Sequence, residues 1–157
     1  MPASVSSKIQ IMWSSMHFTK PWEEFVRPDG TTIWRPTLHV FLWEAGRLKP
    51  RRFLLDSGAD LSLASRSVSD HLDLTWKAGE KRILHGISRK KECQVESRVH
   101  TVDLVVAELG IQITIPMCFA EGEAPLVLGR EGFFEYFRVT FDRQALLTGF
   151  EFVGELS

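Results

Sequence analysis

The run Phe53-Leu54-Leu55-Asp56-Ser57-Gly58-Ala59-Asp60 is where this sequence concentrates its capacity for chemistry. Large apolar residues carry a carboxylate to the end of a strand and into a Ser-Gly turn, whose small side chains leave its surroundings open. Removing a charged carboxylate from water is costly or raises its pKa, so an acid in this setting needs a compensating arrangement. One such arrangement sets a second carboxylate against the first, so that the two share a proton and activate water. The chain holds no second Asp-Ser-Gly or Asp-Thr-Gly. The partner carboxylate therefore has to come from another copy of the same protein. The plain alternative is an Asp at a strand end that caps a turn through its own side chain.

The elements that must position this acid read as short strands. Thr31-Thr32-Ile33-Trp34 and Leu38-His39-Val40-Phe41-Leu42-Trp43 are rich in residues that suit a pleated, half-buried surface. Glu44-Ala45-Gly46-Arg47 supplies a turn, and Arg51 to Asp56 returns as a strand that delivers the carboxylate at its exit. Ser65 to Leu74 reads as a helix with Ser67 as N-cap. Lys81–Leu84 and Cys93–Val95 flank a polar tip, forming a hairpin. Strands are expected at Val99–Val106, Ile111–Ile115 and Leu126–Leu128. A short helix follows over Glu131–Phe137, then a last hairpin from Val139-Thr140-Phe141 to Leu146–Phe152. Many short strands with two small helices define an all-β domain over residues 31–157. Residues 1–30 read as an aromatic-rich N-terminal extension, whose Trp13, Phe18, Trp22 and Phe25 are expected to pack on the main body.

The 157 residues are 44% hydrophobic and 25% charged, enough apolar material for a core without metal or disulfide staples. A net charge of −1 gives no overall field towards nucleic acid or an anionic membrane. The basic clusters Arg47, Lys49, Arg51, Arg52 and Arg89, Lys90, Lys91 read as solvated loops. Cys93 and Cys118 are read as reduced thiols, and His17, His39, His71 and His100 share no metal spacing. Met1 to Met16 lacks the basic start and unbroken apolar core of a signal peptide. No apolar run approaches the roughly 20 residues that span a bilayer. The expectation is a cytoplasmic protein without metal, cofactor, nucleic-acid partner or membrane.

Three motifs in order make the chain resemble the retropepsins, the single-domain aspartic proteases of retroviruses and their cellular and bacterial relatives. Asp56-Ser57-Gly58-Ala59-Asp60 matches the Asp-Thr/Ser-Gly-Ala-Asp motif of that family. Leu84-His85-Gly86-Ile87-Ser88 falls where the family has its flap. Leu126-Val127-Leu128-Gly129-Arg130, about 70 residues beyond the first motif and within the span of one domain, matches its apolar-apolar-Gly-Arg signature. The resemblance covers residues 37 to 142 and leaves the N-terminal extension outside.

The resemblance implies a closed β-barrel of the acid-protease fold, a homodimer and a peptide or protein substrate. It makes Asp56 the catalytic carboxylate, facing its symmetry mate. Ser57 would hydrogen-bond across the dimer, Gly58 would permit close approach, and Ala59 would line the substrate channel. Asp60 and Arg130 would form an ion pair beneath the active site. His85, Gly86, Ile87 and Ser88 would cover the substrate from the flap. Here the chain departs from its relatives, because the tip has one glycine and continues as Arg89-Lys90-Lys91. That departure is consistent with a stiffer or more open flap, with a bias towards acidic substrates, and with a second function. In the second, the fold would serve as a catalytically silent dimerisation or peptide-binding module.

Overall fold

Strand alternation sets the architecture. In the computed structural model, which describes residues 16–85 and 94–155, Leu38, Val40 and Leu42 of β4 (Thr37–Glu44) point into the core. His39 and Trp43 alternate with them on the outside. Ile111, Ile113, Ile115 and Met117 do the same on β9 (Ile111–Ala120), as do Val102, Leu104 and Val106 on β8 (Gln94–Val106). Cβ atoms point to opposite faces of a strand in turn, so each of these stripes buries one face.

The earlier strands are β1 (His17–Pro21), β2 (Glu23–Val26) and β3 (Thr32–Arg35). β5 (Arg47–Leu55), β6 (Ser62–Ser65) and β7 (Glu80–His85) lie between β4 and β8. β10 (Val127–Leu128), β11 (Phe137–Asp142) and β12 (Leu147–Phe152) complete the order. The helices are α1 (Arg66–His71), α2 (Phe133–Tyr136) and a 3-10 turn at Trp76–Ala78. Seven strands form one sheet in the order β4-β5-β10-β6-β9-β8-β7. Pairing of Phe41 with Val105 and Leu42 with Leu104 joins β4 to β8 and closes six of them into a barrel. β7 stays outside the ring, hairpinned on the first half of β8. The expected all-β class, with a closed barrel and two short helices, is what the chain adopts.

Several boundaries differ from the expectation. α1 begins after Ser65 rather than Ser67, because β6 runs parallel to β9 as far as the Ser65–Ala120 register pair and leads straight into the helix. Ser67 instead shares a 2.8 Å hydroxyl–hydroxyl hydrogen bond with Ser65. β8 is one continuous 13-residue strand, so the second leg of the hairpin that opens at Lys81 and the Val99–Val106 strand are a single element. β6 has no β-branched or aromatic residue and gave no periodic signal. It is extended because β9 and β10 pair with it on either side. The stretch read as an extension contains β1 and β2, and β1 pairs with β12 from His17–Glu151 to Pro21–Leu147. Phe18 stacks on Phe150 at 4.6 Å, and the buried Trp22 indole donates to Thr148 Oγ1 at 3.0 Å. Trp13 lies outside the described residues, as does Cys93. No helix among the described residues is long and apolar enough to cross a membrane.

A buried histidine sits where the β7–β8 hairpin leaves the barrel. Gly79 precedes β7, and a Cβ there would stand 2.5 Å from Nε2 of His100 on β8. The ring meets Phe119 edge-on at 5.8 Å, and Nε2 has no hydrogen-bond partner. Burial holds the His100 pKa below the ordinary 6.5, opposed by a hydrogen bond with the Trp76 backbone and reinforced by the Arg98 charge. The unfolded chain therefore binds this proton more readily than the folded one. Stability should be level above about pH 6.5 and decline as pH falls from there towards the folded pKa. His100→Phe is expected to remove that decline in urea unfolding curves. Glu44, held low by its hydrogen bond to Arg51, adds its own loss only below about 4.5, which keeps the two windows apart. Parallel wild-type and variant profiles between the two would refute the assignment.

Candidate active site

Insertion of β10 between β5 and β6 builds the site. β10 runs parallel to β5, with Val127 opposite Leu54 and Leu128 opposite Leu55. It runs antiparallel to β6, with Val127 opposite Leu63. The two strands that flank the Asp56 turn are thus held apart by a third from the far end of the sequence. The Asp56 amide extends the ladder by donating to the Leu128 carbonyl at 3.1 Å.

The turn closes on itself, with the Ala59 amide donating to the Asp56 carbonyl at 3.2 Å. The Gly58 amide donates to Asp56 Oδ1 at 2.8 Å, so one carboxylate oxygen orients the turn. Asp56 remains partly exposed, with Ser57 and Gly58 exposed beside it. A bound carboxylate oxygen fixes the side chain, and partial exposure leaves it within reach of water and a substrate.

The second motif clamps the turn from below. The Arg130 amide donates to the Ala59 carbonyl and the Glu131 amide to the Asp60 carbonyl, each at 2.8 Å. The Gly129 amide donates to Ser62 Oγ at 3.1 Å, on a serine with no exposed surface. Ser62 was missed in the sequence; its only signal was a small polar residue inside the continuation of the Asp motif. Gly129 is required by proximity, since a Cβ would lie 2.5 Å from the Leu61 oxygen and 2.9 Å from the Ala59 oxygen. Both obstacles are backbone. Gly129→Ala should cost about 1–3 kcal/mol in chemical denaturation, in the range of overpacked cores, and displace the Ala59–Leu61 segment. Unchanged stability would show that the two segments part freely.

Asp60 and Arg130 form an ion pair through Oδ1 and Nη2. Their side chains are 77% and 57% exposed in the single chain, so in one copy the pair lies at the surface. Exposed pairs of this kind contribute about 0.2–1 kcal/mol. The described structure thus brings Asp56, Ser57, Gly58, Ala59, Asp60 and Arg130 together. His85 ends β7. Gly86, Ile87 and Ser88 lie outside the described residues.

By structure, the chain is similar to a retropepsin-like aspartic protease from Rickettsia conorii, with a TM-score of 0.54 at 14% identity. That likeness covers 87% of this chain and 91% of the other, and it shows that the chain has the retropepsin fold. The EIAV protease solved with the inhibitor HBY-793 also matches, at 28% identity and a TM-score of 0.43, over 61% of this chain and 82% of that one. No protein-family model and no curated protein matches the sequence.

Proposed function

We propose that the protein is an aspartic endopeptidase whose catalytic centre forms when two chains bring their Asp56 carboxylates together. The observation that carries this reading is Asp56 itself, partly exposed at the end of β5 and fixed by the Gly58 amide in a turn of the retropepsin fold. Two carboxylates about 3 Å apart cannot both ionise cheaply, so they hold one proton between them and titrate as a unit. The ionised member takes a proton from water as its oxygen attacks the scissile carbonyl carbon. The protonated member donates to the carbonyl oxygen. Return of a proton to the amide nitrogen then releases the amine as the C–N bond breaks.

Ser57, Gly58 and Ala59 support the loop in this reading, Asp60 and Arg130 brace it, and His85 to Ser88 belong to the covering hairpin. β12 is the central strand of the β1-β12-β11 sheet, with both edges occupied. The pairing surface for a second copy therefore falls to other edges than the Leu147–Phe152 strand. An extended peptide would lie along the two-fold axis by strand-like main-chain hydrogen bonds.

The test combines solution mass with cleavage of a random peptide library from acid to neutral pH. A dimer with specific activity that rises with protein concentration supports the reading, because a monomer holds half a site. Specific activity independent of concentration across the dimer's dissociation would overturn it. A second reading, a silent peptide-binding module, is favoured by the Gly58 hydrogen bond, which gives Asp56 a structural task of its own. Peptide binding without cleavage by the dimer would establish it.

A further inference from the structure

The fastening of β7 to the barrel turns on His100. β7 is an edge strand, paired with β8 alone from Glu80–Val99 to His85–Gln94, whereas β9 grips β8 from Ser97 to Val106. Gly79 joins the 3-10 turn to β7 and is itself buried. Its φ of −75° suits any residue, so only the space there demands glycine. A Cβ would stand 2.8 Å from Cδ2 and Cε1 of His100 as well as against Nε2. The Arg98 guanidinium, two residues along on the same face of β8, donates to the Gly79 carbonyl at 3.1 Å. Ring and guanidinium thus meet the chain at one glycine.

The neutral ring suits this seat and the charged ring does not. Nε2 has no hydrogen-bond partner, so an N–H placed there would lack an acceptor. A positive charge on the ring would also stand beside Arg98 and against the edge of Phe119 on β9. The nearby acids are engaged elsewhere. Glu96 of β8 faces Arg98 at 3.4 Å, Glu80 of β7 faces Arg82 at 3.7 Å, and Glu121 after β9 pairs with Arg66 of α1. On the side of the turn the charges are positive, with Arg66 lying 4.4 Å from the Trp76 ring centre and Lys77 exposed.

We propose that His100 is an acid-sensitive latch: its neutral ring seats Gly79 and lets β7 pair with β8, and protonation unseats Gly79 and frees β7 from the sheet edge. β7 yields rather than β8, because β8 keeps β9 as its partner. Two other bonds go with it, Arg98 to the Gly79 carbonyl and the buried Ser97 hydroxyl to the Arg82 carbonyl at 2.7 Å. The latch does not rest on the peptidase reading. Under that reading β7 ends in His85 of the covering hairpin, so acid would loosen the hold on a peptide.

Native-state hydrogen exchange of the full chain between about pH 7.5 and about pH 5 tests the latch, each rate being divided by that of an unstructured amide at the same pH. The β7 amides should exchange ahead of those of Leu104 and Ile113 in the core, through an opening short of global unfolding. Their opening constant should be level above about pH 6.5 and rise up to about tenfold per pH unit below it, because the released ring binds a proton more readily than the seated one. His100→Phe and His100→Gln should each flatten that rise. Gly79→Ala should leave β7 poorly protected at every pH, since the added methyl has already displaced the ring. The proposal is overturned by β7 protection that ignores pH in the wild type, by β7 protection equal to that of the core throughout, or by a rise that survives both His100 substitutions. None of these readouts involves cleavage, so the latch and the peptidase reading stand or fall separately.

Discussion

Asp56→Asn is expected to lower kcat/KM for peptide hydrolysis by at least about a hundredfold, the lower end of what a positioned acid–base group supplies. The variant should fold normally. Asn keeps the shape of the side chain and an oxygen that can accept from the Gly58 amide, so the 2.8 Å turn contact survives. What disappears is the group that ionises. Mixing supplies the sharper readout: excess Asp56→Asn chain should depress wild-type activity, since each mixed pair contains one titratable carboxylate where two are needed. Full activity in the variant would place the chemistry outside the Asp56 turn, and full activity in the mixture would show that one chain suffices.

Phe133→Ala should have the largest effect on stability, about 3–5 kcal/mol in urea or thermal unfolding, as for other buried Phe truncations. Phe133 has no exposed surface and stacks on Phe137 at 5.0 Å, with Phe134 and Phe150 set edge-on at 5.8 and 6.4 Å. α2 has four residues, too few to sustain a helix by its own hydrogen bonds. Its place is fixed by this aromatic cluster, which also holds β11 and β12. Phe133→Leu, which keeps most of the volume, should lose much less. A loss under about 1 kcal/mol for Phe133→Ala would show that the cluster repacks around the gap.

Elements with strong periodicity were legible in the sequence. The stripe Leu38, Val40, Leu42 reads as a strand, and β4 follows it. The Ala45-Gly46 turn is equally readable, and both residues adopt positive φ, as a two-residue hairpin turn demands. The all-β class followed from the number and brevity of such segments, and the closed barrel from the family resemblance. Elements defined by their neighbours were hidden. Ser62-Leu63-Ala64-Ser65 has no strand propensity and is extended because two strands grip it. β1 and β2 were obscured by Pro21, which punctuates the sequence between them yet sits within β1 opposite Leu147. At the site, the Asp56 and Gly129 motifs were readable as separate runs with a known family likeness. The Gly129–Ser62 contact was not, because nothing in a lone serine tells which distant amide will seek it. Exposure was also unreadable: the family resemblance implied a pairing of Asp60 with Arg130, and only the folded surface shows how much water surrounds it.

The place of β10 between β5 and β6 has a consequence for biosynthesis. The amide of Gly129 and the hydroxyl of Ser62 are separated by 67 positions, and Arg130 and Asp60 by 70. Such remote pairings make folding slow, because the intervening chain must be ordered before they form. A ribosome therefore exports the acidic turn long before the strand that sets it. Until Val127–Arg130 has emerged, the growing polypeptide carries the Asp56 turn without the strand that holds it in place.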